Sequence, residues 1–254
     1  MQSASTTPLP GTVVLVTGGA HGIGREYCRA FAGCGSRVAV ADLDAPGAAA
    51  VASELGMDSL GFHIDVAEEG SVATAVAAVA ARFERIDVLV NNAAVYAVVP
   101  IRRAALEELT VAEWDQVMAV NLRGTFLCAR AVVPIMKAHG GGRIINISSG
   151  TALNGSGALH YASSKAGVLG FTRTLARELG EHGINVNTLA PGVTDTEATS
   201  AEERRRHDSS VRARAIARPE TPRDLVGAVL FLASPAAAFM TGQTLVVDGG
   251  RAMP

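Results

Sequence analysis

Val13-Val14-Leu15-Val16-Thr17-Gly18-Gly19-Ala20-His21-Gly22-Ile23-Gly24 is the stretch whose reading decides the fold. Four consecutive apolar, mostly β-branched residues read as a strand covered on both faces, and the glycines after them read as a turn that opens a helix. The helix shows as one stripe at the 3.6-residue period, carried by Ile23, Tyr27, Ala30, Phe31 and Cys34. Gly18, Gly22 and Gly24 permit a tight turn and close backbone approach, and the helix N-terminus behind them favours a negative charge such as a pyrophosphate. The spacing is GxxxGxG and not GxGxxG, so by itself the loop is equally well an ordinary turn.

Outward from this unit, short β-branched runs recur at Val38 to Ala41, Leu60 to Ile64, Val88 to Val90, Ile144 to Ile147, Val186 to Leu189 and Leu245 to Val247. With the first run they predict seven strands. Nearly continuous apolar strands separated by helical patterns imply a parallel sheet with helices on both faces. The fold class is therefore α/β, a single doubly wound Rossmann-type domain over residues 11–254 behind a disordered tail of residues 1–10. A second stripe, Val72, Val76, Val79, Ala80 and Phe83, marks another helix. Thr110 with Glu113 reads as a capping box opening a helix through Trp114, Val117 and Asn121. Thr221 before Pro222 reads as an N-cap with proline at the first helical position. The charged run Glu202 to Asp208 reads as a solvated helix. It lies in the longest stretch between strands, and its other reading is a mobile lid over a cleft, around residues 193–220.

A chain of 254 residues with 48% hydrophobic composition has ample material for one core. Its formal charge of −2 argues against a surface built to hold nucleic acid or anionic lipid. Three cysteines without ligand spacing support neither a disulfide framework nor a metal site. The leading residues lack a basic region followed by an apolar stretch, and no unbroken apolar run reaches the roughly 18 residues of a membrane span. These features lead to the expectation of a soluble cytoplasmic protein.

Asp42 closes the second strand, where a carboxylate can accept hydrogen bonds from adenosine ribose hydroxyls and repel a 2′-phosphate. Leu43 follows it where a base would be wanted for that phosphate, so NAD is expected over NADP. Asp65-Val66, after the third strand, can reach the adenine, and an N-cap explains Asp65 equally well. Tyr161-Ala162-Ser163-Ser164-Lys165 begins a long amphipathic helix, with tyrosine and lysine on one face. A phenol is a poor base at neutral pH, but a neighbouring ammonium and an oxidised nicotinamide both favour the phenolate, which makes Tyr161 a general acid/base candidate. Ser148 and Ser149 stand at the C-terminal end of a strand, where ligands bind in open α/β sheets.

In order and spacing, TGGAHGIG at 17 to 24, Asp42, Asp65-Val66, NNAA at 91 to 94, Asn121, ISS at 147 to 149, YASSK at 161 to 165, NTLAPG at 187 to 192 and TGQTLVVDGG at 241 to 250 resemble the short-chain dehydrogenase/reductases. The resemblance runs from Val13 to Gly250. It implies a tetrad of Asn121, Ser149, Tyr161 and Lys165: Tyr161 exchanges the proton, Ser149 polarises the substrate oxygen, Lys165 holds the nicotinamide ribose, and Asn121 supports a water. It implies cofactor contacts from Gly18, His21, Gly22, Ile23, Gly24, Asp42, Leu43, Asp65, Val66, Asn92, Tyr161 and Lys165. Val193, Thr194 and Thr196 would meet the nicotinamide carboxamide. It also implies a homotetramer, with the helix from Tyr161 to Glu181 and the strand near Leu245 at interfaces. Two departures stand out. Ser149 precedes Tyr161 by 12 residues where 13 is usual, which a one-residue deletion between Gly150 and His160 explains, and Ser148 has the usual separation. Ala94 stands where glycine is usual, tolerable if the backbone there has no positive φ.

The expected activity is NAD-dependent hydride transfer to or from the carbinol or carbonyl carbon of a small secondary alcohol or ketone. A 3-oxoacyl-thioester reductase shares the same motifs, and a non-catalytic NAD-binding scaffold would be expected to lack one of the four tetrad residues. Tyr96, Val98, Thr151, Leu153 and His160 are the expected substrate-lining positions, mostly apolar, and His160 is assigned no catalytic part.

Overall fold

Strand β1 (Val13–Thr17) is buried along its whole length, because successive side chains point to opposite faces and both faces are covered. Val13 and Leu15 join one apolar cluster, Val14 and Val16 the other. This computed structural model describes residues 10–56, 58–95, 101–197, 199 and 201–253, with the backbone alone for 201–203, 205 and 206. The expected N-terminal tail falls almost entirely outside these residues, as do Tyr96 and Val98.

The further elements, in chain order, are α1 (Gly22–Gly33), β2 (Arg37–Asp42), α2 (Ala45–Leu55), β3 (Leu60–His63), α3 (Glu69–Phe83), β4 (Val88–Asn91), α4 (Val111–Met118), α5 (Gly124–Ala138), β5 (Gly142–Ile147), α6 (Thr151–Asn154), α7 (Leu159–Leu179), β6 (Ile184–Pro191), α8 (Ala201–Arg212), α9 (Pro222–Ala233) and β7 (Thr244–Val247). All seven strands are parallel, in the order β3-β2-β1-β4-β5-β6-β7. The order reverses between β1 and β4, so their C-terminal ends diverge into a crevice. Helices α1, α2 and α9 cover one face through Tyr27, Phe31, Val51, Leu225 and Val229. Helices α3, α5 and α7 cover the other through Val76, Val79, Val132, Met136 and Leu179.

Both capping boxes form: Thr110 with Glu113 opens α4, and Thr221 with Asp224 opens α9 around Pro222. The helical run opened by Thr110 carries Trp114, Val117 and Asn121 as expected, though not in α geometry throughout. Helix α4 stops at Met118, and a π-turn over Ala119–Arg123 carries Asn121 into α5. The whole helical run from Val111 to Ala138 is apolar enough, by length and composition, to cross a membrane. Val117, Leu127, Cys128, Ala129, Val132 and Met136 are buried within this chain, which accounts for much of that composition.

Helix α1 lies unusually close to the loop before it. A methyl group on Gly24 would sit 2.0 Å from the Gly18 carbonyl oxygen and 2.6 Å from Asn92 Nδ2, whereas one on Gly33, in the same helix, would meet nothing. Gly24→Ala should therefore lower the unfolding free energy by about 2 kcal/mol or more, and Gly33→Ala should raise it by roughly 0.5–1 kcal/mol. Urea titration of the two variants checks both signs.

Candidate active site

The first strand and the fourth are tied together at the crevice by a hydroxyl. Thr17 Oγ1 accepts the N–H groups of Asn92 and Ala93, each at 3.1 Å. Asn92 Nδ2 donates to the carbonyls of Thr17 and Gly18, both at 3.0 Å. Asn92 thus braces the glycine loop with its side chain. Gly18 has φ +65°, a conformation that favours glycine, and its missing side chain also leaves Ala93 room at the loop. Ala94 does not need that conformation, since Glu84 is the one non-glycine with positive φ among the described residues.

Two features of the loop fit a dinucleotide. Backbone closes on backbone where a Cβ at Gly24 would intrude, which sets the glycine loop directly against the first turn of α1. At the end of β2, Asp42 is fixed through both oxygens: Oδ2 accepts the Ala20 N–H and Oδ1 the Asp44 N–H, each at 3.0 Å. Each oxygen keeps a lone pair for a further donor. Leu43 beside it is exposed, and His21 is paired with Asp44 at 2.8 Å. Ile23 packs against the α1-side core. Val66 is buried; Asp65 takes the Ala67 N–H at 2.9 Å, while the N-cap of α3 is Glu68, so the capping explanation for Asp65 does not hold.

One occupant of this loop was not foreseen. Glu197 Oε1 accepts the Gly22 N–H at 2.8 Å and pairs with Arg25 at 3.0 Å. Partial burial pulls its pKa up, but these donors outweigh burial and hold the carboxyl below its ordinary range. Thr196 stands beside it, its methyl 3.2 Å from where a Gly22 Cβ would be. Thr194 and Thr196 do not start a helix, because α8 begins at Ala201.

The tetrad candidates converge where α7 crosses the end of β5. Lys165 is buried, and its Nζ donates to the Ile147 carbonyl at 2.8 Å. Ser148 Oγ donates to the Lys165 carbonyl at 2.7 Å. The Lys165 ammonium lies 5.9 Å from the centroid of the Tyr161 ring. Ser149 Oγ accepts the Thr151 N–H at 3.3 Å, a bond that does not use the hydroxyl hydrogen. Ser148 Oγ is thus spent on the helix backbone, while the one bond to Ser149 Oγ leaves its hydroxyl hydrogen unused. Asn121 is fully buried and bonded at both ends of its amide: Oδ1 takes the Val95 N–H at 2.9 Å and Nδ2 donates to Ser164 Oγ at 3.0 Å. It joins the β4 loop to the first turns of α7.

Burial disfavours the ammonium form, so the Lys165 pKa falls from 10.5 to about 8. At neutral pH the group still carries its charge on most molecules. Sequence reading missed the polar chain behind it: Asn91 Nδ2 to Asn146 Oδ1, Asn146 Nδ2 to Thr172 Oγ1 and Thr188 Oγ1 to Thr172 Oγ1, all at 2.9 Å. Of the expected substrate-lining residues, Leu153 is half-buried. Thr151 Oγ1 and His160 Nδ1 are buried polar atoms with no partner among the described residues.

A family model described as Enoyl-(Acyl carrier protein) reductase matches residues 18–252. The chain belongs to the short-chain dehydrogenase/reductase family, oxidoreductases of CH–OH groups that use a nicotinamide cofactor. It is 44% identical over 247 residues to D-threitol dehydrogenase of Mycolicibacterium smegmatis, covering 95% of this chain and 93% of that one. To the 3-oxoacyl-[acyl-carrier-protein] reductase of a Synechocystis species it is 39% identical over 253 residues, covering 97% and 99%. A crystal structure titled as a short-chain alcohol dehydrogenase from Sinorhizobium meliloti 1021 superposes with TM-score 0.89 at 34% identity, covering 96% and 97%.

The buried ammonium gives a pH dependence of stability with a definite sign. Between pH 8 and 10.5 the unfolded chain holds the lysine proton more often than the folded one, so this residue's contribution to stability rises with pH across that window. The unfolding free energy of the unmodified chain minus that of Lys165→Met should increase by about 1–3 kcal/mol from neutral pH to about pH 10. Denaturant titrations at several pH values measure it, and a flat difference would contradict the assignment.

Proposed function

We propose that this chain is an NAD-dependent dehydrogenase that oxidises a secondary alcohol of a small polyol, or reduces the corresponding ketone. The observation that supports the chemistry is the double attachment of Lys165 to the end of β5, next in sequence to Ser149, with its ammonium 5.9 Å from the Tyr161 ring centroid. When bound, the nicotinamide ring supplies the hydride acceptor or donor. Tyr161 takes the hydroxyl proton during oxidation and returns it during reduction. The Lys165 ammonium favours the phenolate by charge. Ser149 donates its hydroxyl hydrogen to the substrate oxygen. Asn121 keeps the β4 loop and the helix of Tyr161 in register, and a water beside it would extend the proton path.

Preference for NAD is supported by Asp42, whose carboxylate is held at the end of β2 with an exposed leucine after it. A 2′-phosphate placed there would meet like charge with no side-chain base in Leu43. The polyol reading is supported by two relatives, the threitol dehydrogenase and a sorbitol dehydrogenase of Cereibacter sphaeroides. It is also supported by Thr151 Oγ1 and His160 Nδ1, since unpaired buried polar atoms suit a substrate with more than one hydroxyl. It narrows the small secondary alcohol or ketone expected from the sequence. The second reading, a 3-oxoacyl-thioester reductase, is favoured by the Synechocystis relative.

The assembly we propose is a cytoplasmic homotetramer. Val168 and Leu169, which α7 would offer to a neighbour, are buried within the chain. The open apolar groove lined by Trp114, Met118, Leu122, Phe126, Gly167 and Phe171 suits a second copy better. Light scattering should give about four chain masses, and a monomer would refute the assembly.

Tyr161→Phe should lower turnover of D-threitol, sorbitol or another active polyol by about 10²-fold or more with little change in NAD affinity. The unmodified chain should use NAD more efficiently than NADP in the same assay. Undiminished turnover by the phenylalanine variant would refute the mechanism, and equal efficiency with NADP the placement of Asp42.

A further inference from the structure

The segment between β6 and α9 leaves the sheet and returns to it at one point, and a buried ion pair stands at that point. Arg214 and Glu220 have side chains 1% and 5% exposed, with Arg214 Nη2 3.3 Å from Glu220 Oε2. The carboxylate reaches the outgoing chain: Glu220 Oε1 accepts the Gly192 N–H at 3.1 Å and the Thr194 hydroxyl at 2.8 Å. The Glu220 carbonyl accepts the Asp195 N–H at 2.8 Å, and Thr194 and Glu220 form a short parallel bridge. The guanidinium reaches the same stretch, Nη2 donating to the Val193 carbonyl at 2.7 Å, while Nη1 donates to the Arg218 carbonyl at 2.9 Å.

Burying two charges is costly, and apolar residues of similar volume often stabilise a fold as well. This pair lies in neither apolar cluster of the sheet. The second carboxylate nearby, Asp248, is occupied by the N–H groups of Gly250, Arg251 and Ala252. Gly249 leaves room for the arginine stem, since a Cβ there would lie 3.1 Å from Arg214 Cδ. The surroundings therefore leave Arg214 and Glu220 to each other, to residues 192–195 and to the Arg218 carbonyl.

We propose that Arg214 and Glu220 are positioning residues for the nicotinamide end of the cofactor, clamping the Val193 carbonyl and the Thr194 hydroxyl so that this stretch presents a fixed edge to the carboxamide. The proposal rests on the reading that residues 193–196 flank the nicotinamide. The pair's own contacts with this stretch are to residues 192–195, on the nicotinamide side of that reading. The adenosine and pyrophosphate are received some distance away, by the loop at Gly18 and by Asp42, which the pair does not contact.

The test exploits that asymmetry. Binding of NADH and of ADP-ribose, which lacks the nicotinamide, is measured by calorimetry on the unmodified chain and on Glu220→Gln. The glutamine keeps the shape and an acceptor for Thr194 while removing the charge facing Arg214. The variant should bind NADH about fivefold more weakly or worse while holding ADP-ribose within about twofold. Arg214→Lys, which keeps a cation facing Glu220 but loses the fork that reaches the Val193 and Arg218 carbonyls together, should show the same contrast at about two- to threefold, and it decides the matter if the glutamine variant does not fold. Equal weakening of both ligands would reduce the pair to a structural support, and no change in either would remove it from the site; each outcome overturns the proposal. An unmodified chain that binds neither ligand, nor NADPH, would instead overturn the cofactor reading, and the clamp with it.

Discussion

The buried ammonium of Lys165 is the constraint on which the site depends. Its bond to the Ile147 carbonyl and the bond from Ser148 to its own carbonyl fix the first turns of α7 against the last residues of β5. A strand end carries one candidate hydroxyl and a helix start the candidate phenol, and the proposed chemistry needs the two elements to cross. The cost is a cation removed from water, visible in its depressed pKa. A flexible surface lysine could carry the same charge, but it could not fix the angle at which helix and strand meet.

The layers around this crossing follow from the parallel sheet. Alternate residues of β1 serve opposite apolar clusters, so each strand has no polar face and must be flanked twice. The crevice then appears where strand order reverses, between β1 and β4, and Thr17 and Asn92 brace it there. Side chains that brace the loop and groups that could meet a ligand are neighbours because the topology leaves them one common edge.

Much of this was legible in the sequence, and the reason is range. Seven apolar runs announced seven strands because burial on both faces is written into each run. The boxes at Thr110 and Thr221 were readable because donor and acceptor lie three residues apart. Motif order singled out Ser149, Tyr161 and Lys165 as candidates, while the bond from Ser148 to α7 was beyond its reach. What escaped was non-local. Thr17 meets Asn92 across 75 positions, and the chain from Asn91 through Asn146 and Thr172 to Thr188 crosses two strands, a helix and a third strand. Nothing local in residues 214–220 tells that their arginine and glutamate turn inward, and the π-turn at Asn121 has no periodicity of its own to betray it.

Glu197, 175 positions from Gly22, gives the α1 N-terminus a resident anion. Carboxylate and phosphate cannot share that N–H, so any phosphate arriving there must first evict a tethered rival. The measured affinity for such a ligand is then the intrinsic affinity scaled by the fraction of molecules in which the rival has already let go. Binding of such a ligand and release of the Glu197 carboxylate from the Gly22 N–H become one linked equilibrium.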